Sequence, residues 1–342
     1  MLFGVIKINQ VKKLLKEIWI RSDIMLLQIF LLILGFVVLI KGADIFVDGA
    51  SSTAANFKVP KMLIGLTIVA FGTSAPELAV SIKALASGSS DMVLGNVIGS
   101  NVTNILLILG VAAIICPLTI KNNTVRKEIP LCIMITLLLA SQIADLFLDH
   151  SKTNMITRSD ALAIILVFGV FLYYIISMAI KDRKTTKEVE EPKFGLIKSI
   201  SFVIIGLGGI VIGSNFVVDS ASEIARMIGW SERLISLTII AFGTSLPELV
   251  TTIISSIKGE QDILVGNIIG SNIFNICMVL GVPVAIFGGI KANNFTGIDL
   301  LFFILSAAML FVFSVSKRKI NRLEGGLMLA AFAIYYTVVF VL

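Results

Sequence analysis

Residues 70–78 read AFGTSAPEL and residues 241–249 read AFGTSLPEL, each inside an apolar stretch long enough to cross a membrane. Further on, GNVIGSNVTN at 95–104 returns as GNIIGSNIFN at 266–275. The offset is constant, since 248 − 77 and 275 − 104 both equal 171. Aligning 65–110 with 236–281 gives 24 identities in 46 positions. This duplication constrains the fold more than any other feature. Each copy sets a Glu, a Pro and a run of hydroxyl residues where hydrocarbon penalises them, so the carboxylate marks a functional site. Two matched copies point to one site built at the interface of two repeats, the plan of many secondary transporters.

Membrane embedding follows from composition. Of 342 residues, 57% are hydrophobic and 15% charged, with a mean hydropathy of +1.00, far from a soluble domain. Apolar runs of about 20 residues, the length that spans a hydrocarbon core, are read at 26–47, 62–86, 91–116, 129–148, 159–180, 198–220, 233–257, 262–288, 297–315 and 323–341. They are too long and too little alternating for barrel strands. The predicted fold class is therefore an all-α membrane protein of ten transmembrane helices.

Five spans precede the charged segment 181–197 and five follow it. An odd number per copy makes the second enter from the opposite side, giving two inverted five-helix repeats with broken core helices. The expected organisation is 25–180 for the first repeat, 181–197 for a linker and 198–342 for the second. Sixteen Lys and Arg residues fall on the linker side and six on the other, excluding residues 1–24. The linker side is thus predicted cytoplasmic and both termini extracellular, in a multi-pass cell-membrane protein. Residues 1–24 carry Lys7, Lys12, Lys13, Lys16 and Arg21, with Val11, Leu14, Leu15 and Ile18 at helical spacing. They read either as a basic amphipathic segment in the interface or as sequence before a true start at Met25. Lys41 lies within the first span and is expected to snorkel or pair locally.

The polar residues of the repeats define the chemistry. Pro76 lacks an N–H and clashes with the preceding turn, so a break is predicted there, eased by Gly72. Backbone carbonyls from Ala70 to Thr73 then need new partners, which at this depth means protein or a water-filled cavity. Together with the Thr73 and Ser74 hydroxyls and the Glu77 carboxylate they form an all-oxygen cluster. The second copy supplies Ala241 to Thr244, Ser245 and Glu248 around Pro247. Ser100 and Asn104 share a helix face at four-residue spacing, as do Ser271 and Asn275. Asn96, Asn101, Asn267 and Asn272 are read as braces for the broken helices. Gly95 and Gly99 allow close helix approach. Oxygen ligands suit hard cations such as calcium, and two glutamates balance one Ca²⁺ or two Na⁺. Softer metals would require Cys or His. Cys116, Cys132 and Cys277 show no CxxC spacing and read as small apolar residues, and His150 is the single histidine. Asp91 and Asp262 are expected to be N-caps. Asp44, Asp48 and Asp219 are expected to pair structurally.

These residues resemble the two α-repeats of the cation/calcium antiporter superfamily, specifically its sodium/calcium exchanger branch, prokaryotic type. The resemblance covers the chain by span count and is most specific over the two repeats. It implies ten helices, with spans 2, 3, 7 and 8 as a compact core and spans 1 and 6 as a peripheral pair that slides against it. Carried over residue by residue, it implies that Glu77 and Glu248 ligate calcium and sodium. Thr73 and Thr244 contribute beside them, with Ala70 and Ala241 donating carbonyls. Ser74, Ser245, Ser100 and Ser271 match hydroxyl ligands of sodium sites, and Asn104 and Asn275 complete the central site. Some prokaryotic members have Asp at the position of Asn275. With Asn in both copies here, three bound Na⁺ would leave a net charge of +1.

The implied function is a secondary antiporter exchanging Na⁺ for Ca²⁺ by alternating access, with no cofactor beyond the transported ions. The alternative is an H⁺/Ca²⁺ or K⁺-dependent exchanger of the same superfamily. An intramembrane enzyme or a channel is the remote alternative, since catalytic Asp pairs and His ligands are missing from the apolar spans. The partners implied are Ca²⁺, Na⁺ and the lipid bilayer. The net charge of +6 is dispersed over loops, so nucleic acid is not expected; the chain is expected as a monomer or weak dimer.

Overall fold

The computed structural model describes residues 2–148, 153–185, 191–230, 239, 241–292 and 297–341; of residues 2–22 only the backbone is described. The amphipathic reading of residues 1–24 therefore concerns side chains outside the described residues; His150, and residues 233–238 and 240 of the span expected at 233–257, also lie outside them.

The chain is helical, as a backbone in lipid must be when no water can satisfy its amides. Helix α1 (Leu2–Phe57) is followed by a broken span. That span comprises α2 (Lys61–Ile64), a π-helical turn over Gly65–Val69, α3 (Ala70–Thr73) and α4 (Ala75–Ala86). Its two parts meet at an angle of 44°. Next come α5 (Ser90–Val102), a π-helical stretch Thr103–Leu109 and α6 (Gly110–Ile115). Helices α7 (Ile129–Ile143), α8 (Asp145–Leu148) and α9 (Arg158–Thr185) complete the first part. The second part holds α10 (Leu196–Met227), α11 (Ala241–Thr244) and α12 (Leu246–Ile257). It continues with α13 (Gln261–Phe274), a π-helical stretch Asn275–Leu280 and α14 (Gly281–Phe287). Helices α15 (Gly297–Lys317) and α16 (Arg322–Val341) close the fold.

Seven helical stretches among the described residues are long and apolar enough to cross a membrane, or eight with the bent pair. The span expected at 26–47 extends ten residues further, to Phe57. Its added turns are polar but buried, with Ser51, Ser52 and Thr53 packed inward, so a count of apolar residues stops short of them. The stretch expected at 129–148 breaks at Ala144, between α7 and α8.

The core lies around two stretches. Ser90–Ile115 has 72% of its apolar window buried and Gln261–Phe287 has 94%, against 11–28% for the other five candidate spans. Those five turn residues such as Phe30, Ile33, Leu166 and Ile204 outward, the reverse of a soluble fold and normal for a lipid-facing surface. Helices α1 and α10 run together as a tightly packed pair. A Cβ on Gly213 would lie 2.4 Å from the Leu39 amide nitrogen, and one on Gly42 would lie 2.7 Å from that of Ile210. Small residues here let two backbones touch.

Two short antiparallel ribbons were not expected from the sequence. Strand β1 (Leu118–Thr119) pairs with β4 (Lys319–Ile320), and β2 (Met155–Ile156) pairs with β3 (Ile290–Lys291). Each ribbon joins a connection of the first copy to one of the second. Two-residue strands carry no usable period, so pattern reading cannot find them.

Candidate cation site

The breaks that build the site occur at serine. Ser74 (φ −86°, ψ 7°) separates α3 from α4, and Ser245 (φ −86°, ψ 2°) separates α11 from α12. Pro76 and Pro247 stand in the first turn of the helices that follow, where a missing N–H costs nothing. Each proline thus starts a new helix at the break. Gly72, read as easing the break, stands two residues before it. It lies within α3, and a Cβ there would meet the Leu207 side chain at 3.1 Å. Gly243 similarly faces Val218. These glycines make room for α10.

Glu77 and Glu248, one turn past the two breaks, are both buried to about 1% exposure. They lie close enough for their charges to interact. The Ser74 hydroxyl donates to Glu248 Oε1 at 2.9 Å. Thr244 lies beside the Glu77 carboxylate, at the position that matches Thr73 in the first copy. The Thr73 hydroxyl lies 3.1 Å from Asn267 Oδ1 and 3.1 Å from the Val69 carbonyl. The Ala70 carbonyl, expected to be released, keeps a helical partner in the Ser74 N–H at 3.0 Å. Gly72 stands four residues before Pro76, which has no N–H to offer its carbonyl. The side chain of Ala241 lies outside the described residues.

The asparagines form a reciprocal clasp. Asn104 Nδ2 donates to Asn272 Oδ1 at 3.1 Å, and Asn275 Nδ2 donates to Asn101 Oδ1 at 3.2 Å. Adding or subtracting 171 turns one bond into the other. Asn96 Nδ2 holds the Glu77 carbonyl and the Ser81 hydroxyl, both at 3.0 Å. The bracing read for Asn96, Asn101, Asn267 and Asn272 is thus present. Asn104 and Asn275 both fall in π-helical stretches, whose extra residue per turn shifts side chains out of α-helical register. Ser100, Ser245 and Ser271 are buried with them, and the Ser271 hydroxyl reaches Asn267 Oδ1 at 3.5 Å.

This clasp leaves oxygen over. Glu77 Oε2, Glu248 Oε2, Asn104 Oδ1 and Asn275 Oδ1 are all buried with no hydrogen-bond partner. Unsatisfied buried acceptors are rare and each costs about 1–3 kcal/mol. Carboxylate and amide oxygens of this kind are the ligand type that hard cations prefer. No group of three or more His, Cys, Asp or Glu occurs among the described residues, so two carboxylates and neutral oxygens are what this centre offers.

Other expectations fare unevenly. Asp91 and Asp262 sit in the first turns of α5 and α13 and not at the caps, which are Ser89 and Glu260; Asp262 pairs with Lys121 at 2.5 Å. Asp44 and Asp48 do pair structurally, both with Lys258. The sequence reading missed Thr251, Thr252, Ser255 and Ser256, buried on α12. Their recurrence every three or four residues from Glu248 was the available signal.

Comparison with known proteins shows the family. A family model described as sodium/calcium exchanger protein matches residues 27–177 and 198–341. The protein CaxA of Alkalimonas amylolytica is 39% identical over 322 residues, covering 92% of this chain and 99% of that one. The sodium/calcium exchanger MaX1 of Methanosarcina acetivorans is 30% identical over 346 residues, covering 91% of this chain and 97% of its own. A solved structure of the sodium-calcium exchanger NCX_Mj, soaked with 10 mM Na⁺ and zero Ca²⁺, matches with a TM-score of 0.79 at 30% identity, over 92% of this chain and 99% of that one. The chain belongs to the sodium/calcium exchanger family of the cation/calcium antiporter superfamily, as a multi-pass helical membrane transporter and not an enzyme.

Proposed function

We propose that this protein exchanges Na⁺ for Ca²⁺ by alternating access at one central site. Glu77 and Glu248 hold the cation, aided by Asn104 and Asn275. Thr73, Thr244, Ser74, Ser245, Ser100, Ser271 and the carbonyls of Ala70 and Ala241 complete the calcium and sodium positions. The carrying observation is the four buried oxygens without donors. A bound cation satisfies all four at once, and competition between ions for the same carboxylates couples their movements. Ten helices in two inverted repeats, 25–180 and 198–342 about the linker 181–197, provide the two-fold relation that lets one site face either side. The reciprocal Asn104–Asn272 and Asn275–Asn101 bonds support that relation. The linker side is cytoplasmic and both termini are extracellular in this reading.

In proteoliposomes loaded with sodium, external calcium is taken up as sodium leaves. Glu77→Gln is expected to reduce this uptake about 100-fold, equivalent to ~2.7 kcal/mol, while elution of the purified protein is unchanged. Uptake equal to the parent's would reject the site. Imposing K⁺ or H⁺ gradients in place of the Na⁺ gradient separates sodium coupling from the two alternatives.

A further inference from the structure

A polar file runs from Glu248 along α12 towards one face of the molecule and is not repeated at the matched positions of α4. On α12 the residues at helical spacing beyond Glu248 are Thr251, Thr252, Ser255 and Ser256, at most 3% exposed. All four hydroxyls lack hydrogen-bond partners, as does that of Thr53 on the neighbouring α1. The positions 171 residues earlier hold Val80, Ser81, Ala84 and Leu85. There the single hydroxyl, of Ser81, is already engaged by Asn96.

The file ends beneath an ionic closure. Lys258 follows α12 directly and reaches across to α1. Its ammonium lies 2.8 Å from Asp44 Oδ1, 2.9 Å from Asp48 Oδ2 and 2.7 Å from the Asp44 carbonyl oxygen. Three acceptors occupy all three of its N–H donors. Beside it, Glu260 accepts from the Ser51 hydroxyl of α1 at 2.8 Å and from Lys61. The matched positions on the opposite face are Ser87 for Lys258, Ser89 for Glu260, Asn215 for Asp44 and Asp219 for Asp48, so the lysine of the closure is not repeated at its matched position. Because α1 and α10 pack backbone to backbone, a tie on α1 restrains the pair together.

We propose that Lys258 is the gating residue of this exchanger. Its bonds to Asp44 and Asp48 hold α1 against the end of α12 and keep the hydroxyl file shut on the Lys258 face; their release opens that face to hydrated cations. This closure biases the protein towards the state closed on that face. This inference rests on the alternating-access reading above.

The test measures access as well as transport. Full-length protein carrying Cys116→Ala and Ser255→Cys is reconstituted into liposomes. A charged, membrane-impermeant methanethiosulfonate is applied to each face and modification is followed by intact mass. Adding Lys258→Met is expected to speed modification from the Lys258 face about tenfold, the change that ~1.4 kcal/mol produces. Lys258→Arg should keep the slow rate. Asp48→Asn offers a second route to the same opening should the methionine variant fail to fold. Equal rates in the opened variants and the parent, with sodium-driven calcium uptake intact, would overturn the gate alone. Absence of uptake in the parent, together with no effect of Na⁺ or Ca²⁺ on its modification rate, would overturn the transport reading beneath it.

Discussion

At the scale of single residues, the amide clasp is the most exacting part of the site. Asn272 uses its side-chain oxygen to hold Asn104 and its main-chain oxygen for Asn101. Replacing it with alanine keeps the second bond and removes the first, leaving Asn104 Nδ2 buried without an acceptor. Asn272→Ala should therefore cost about 1–3 kcal/mol of stability, read as a lower Tm in detergent. The two glutamates were legible in the sequence because a carboxylate in an apolar span, repeated at one offset, admits few bland explanations. The partners of each hydroxyl were not legible. Spacing gives the face of a helix, but which helix lies opposite depends on the bundle, so Ser74 reaching Glu248 across the two copies could only be seen in three dimensions.

Among the elements, the α1–α10 contact makes the sharpest demand. Its glycines tolerate no Cβ without backbone movement. Gly213→Ala should lower stability by about 1–3 kcal/mol through overpacking and slow calcium uptake. Gly208→Ala, on the same helix with open space around it, should change neither; thermal unfolding and flux on the two variants side by side check this. Most helices were legible from apolar length. The ends were not, because burial by neighbouring protein lets polar turns such as 48–57 continue α1. The π-helical stretches around Asn104 and Asn275 also escaped notice, since their sequences keep the apolar character of the α-helices they interrupt.

For the whole molecule, the proposed function ties folding to ion binding. A cation held by the four unpartnered acceptors, as proposed, should raise stability by mass action. At calcium concentrations near 100 times the Kd the gain is about 2.7 kcal/mol, and Tm should climb with calcium in the parent but not in a Glu77→Gln, Glu248→Gln double variant. The ribbons add a demand of timing. Strand β1 near residue 118 finds its partner only at residues 319–320, and Asn101 waits for Asn275. A ribosome must therefore deliver nearly the entire polypeptide before its first membrane segments are complete. Until then Asn101 and Asn104 lack their second-copy partners, and a truncated product offers the cell's quality-control proteases a recognisable defect.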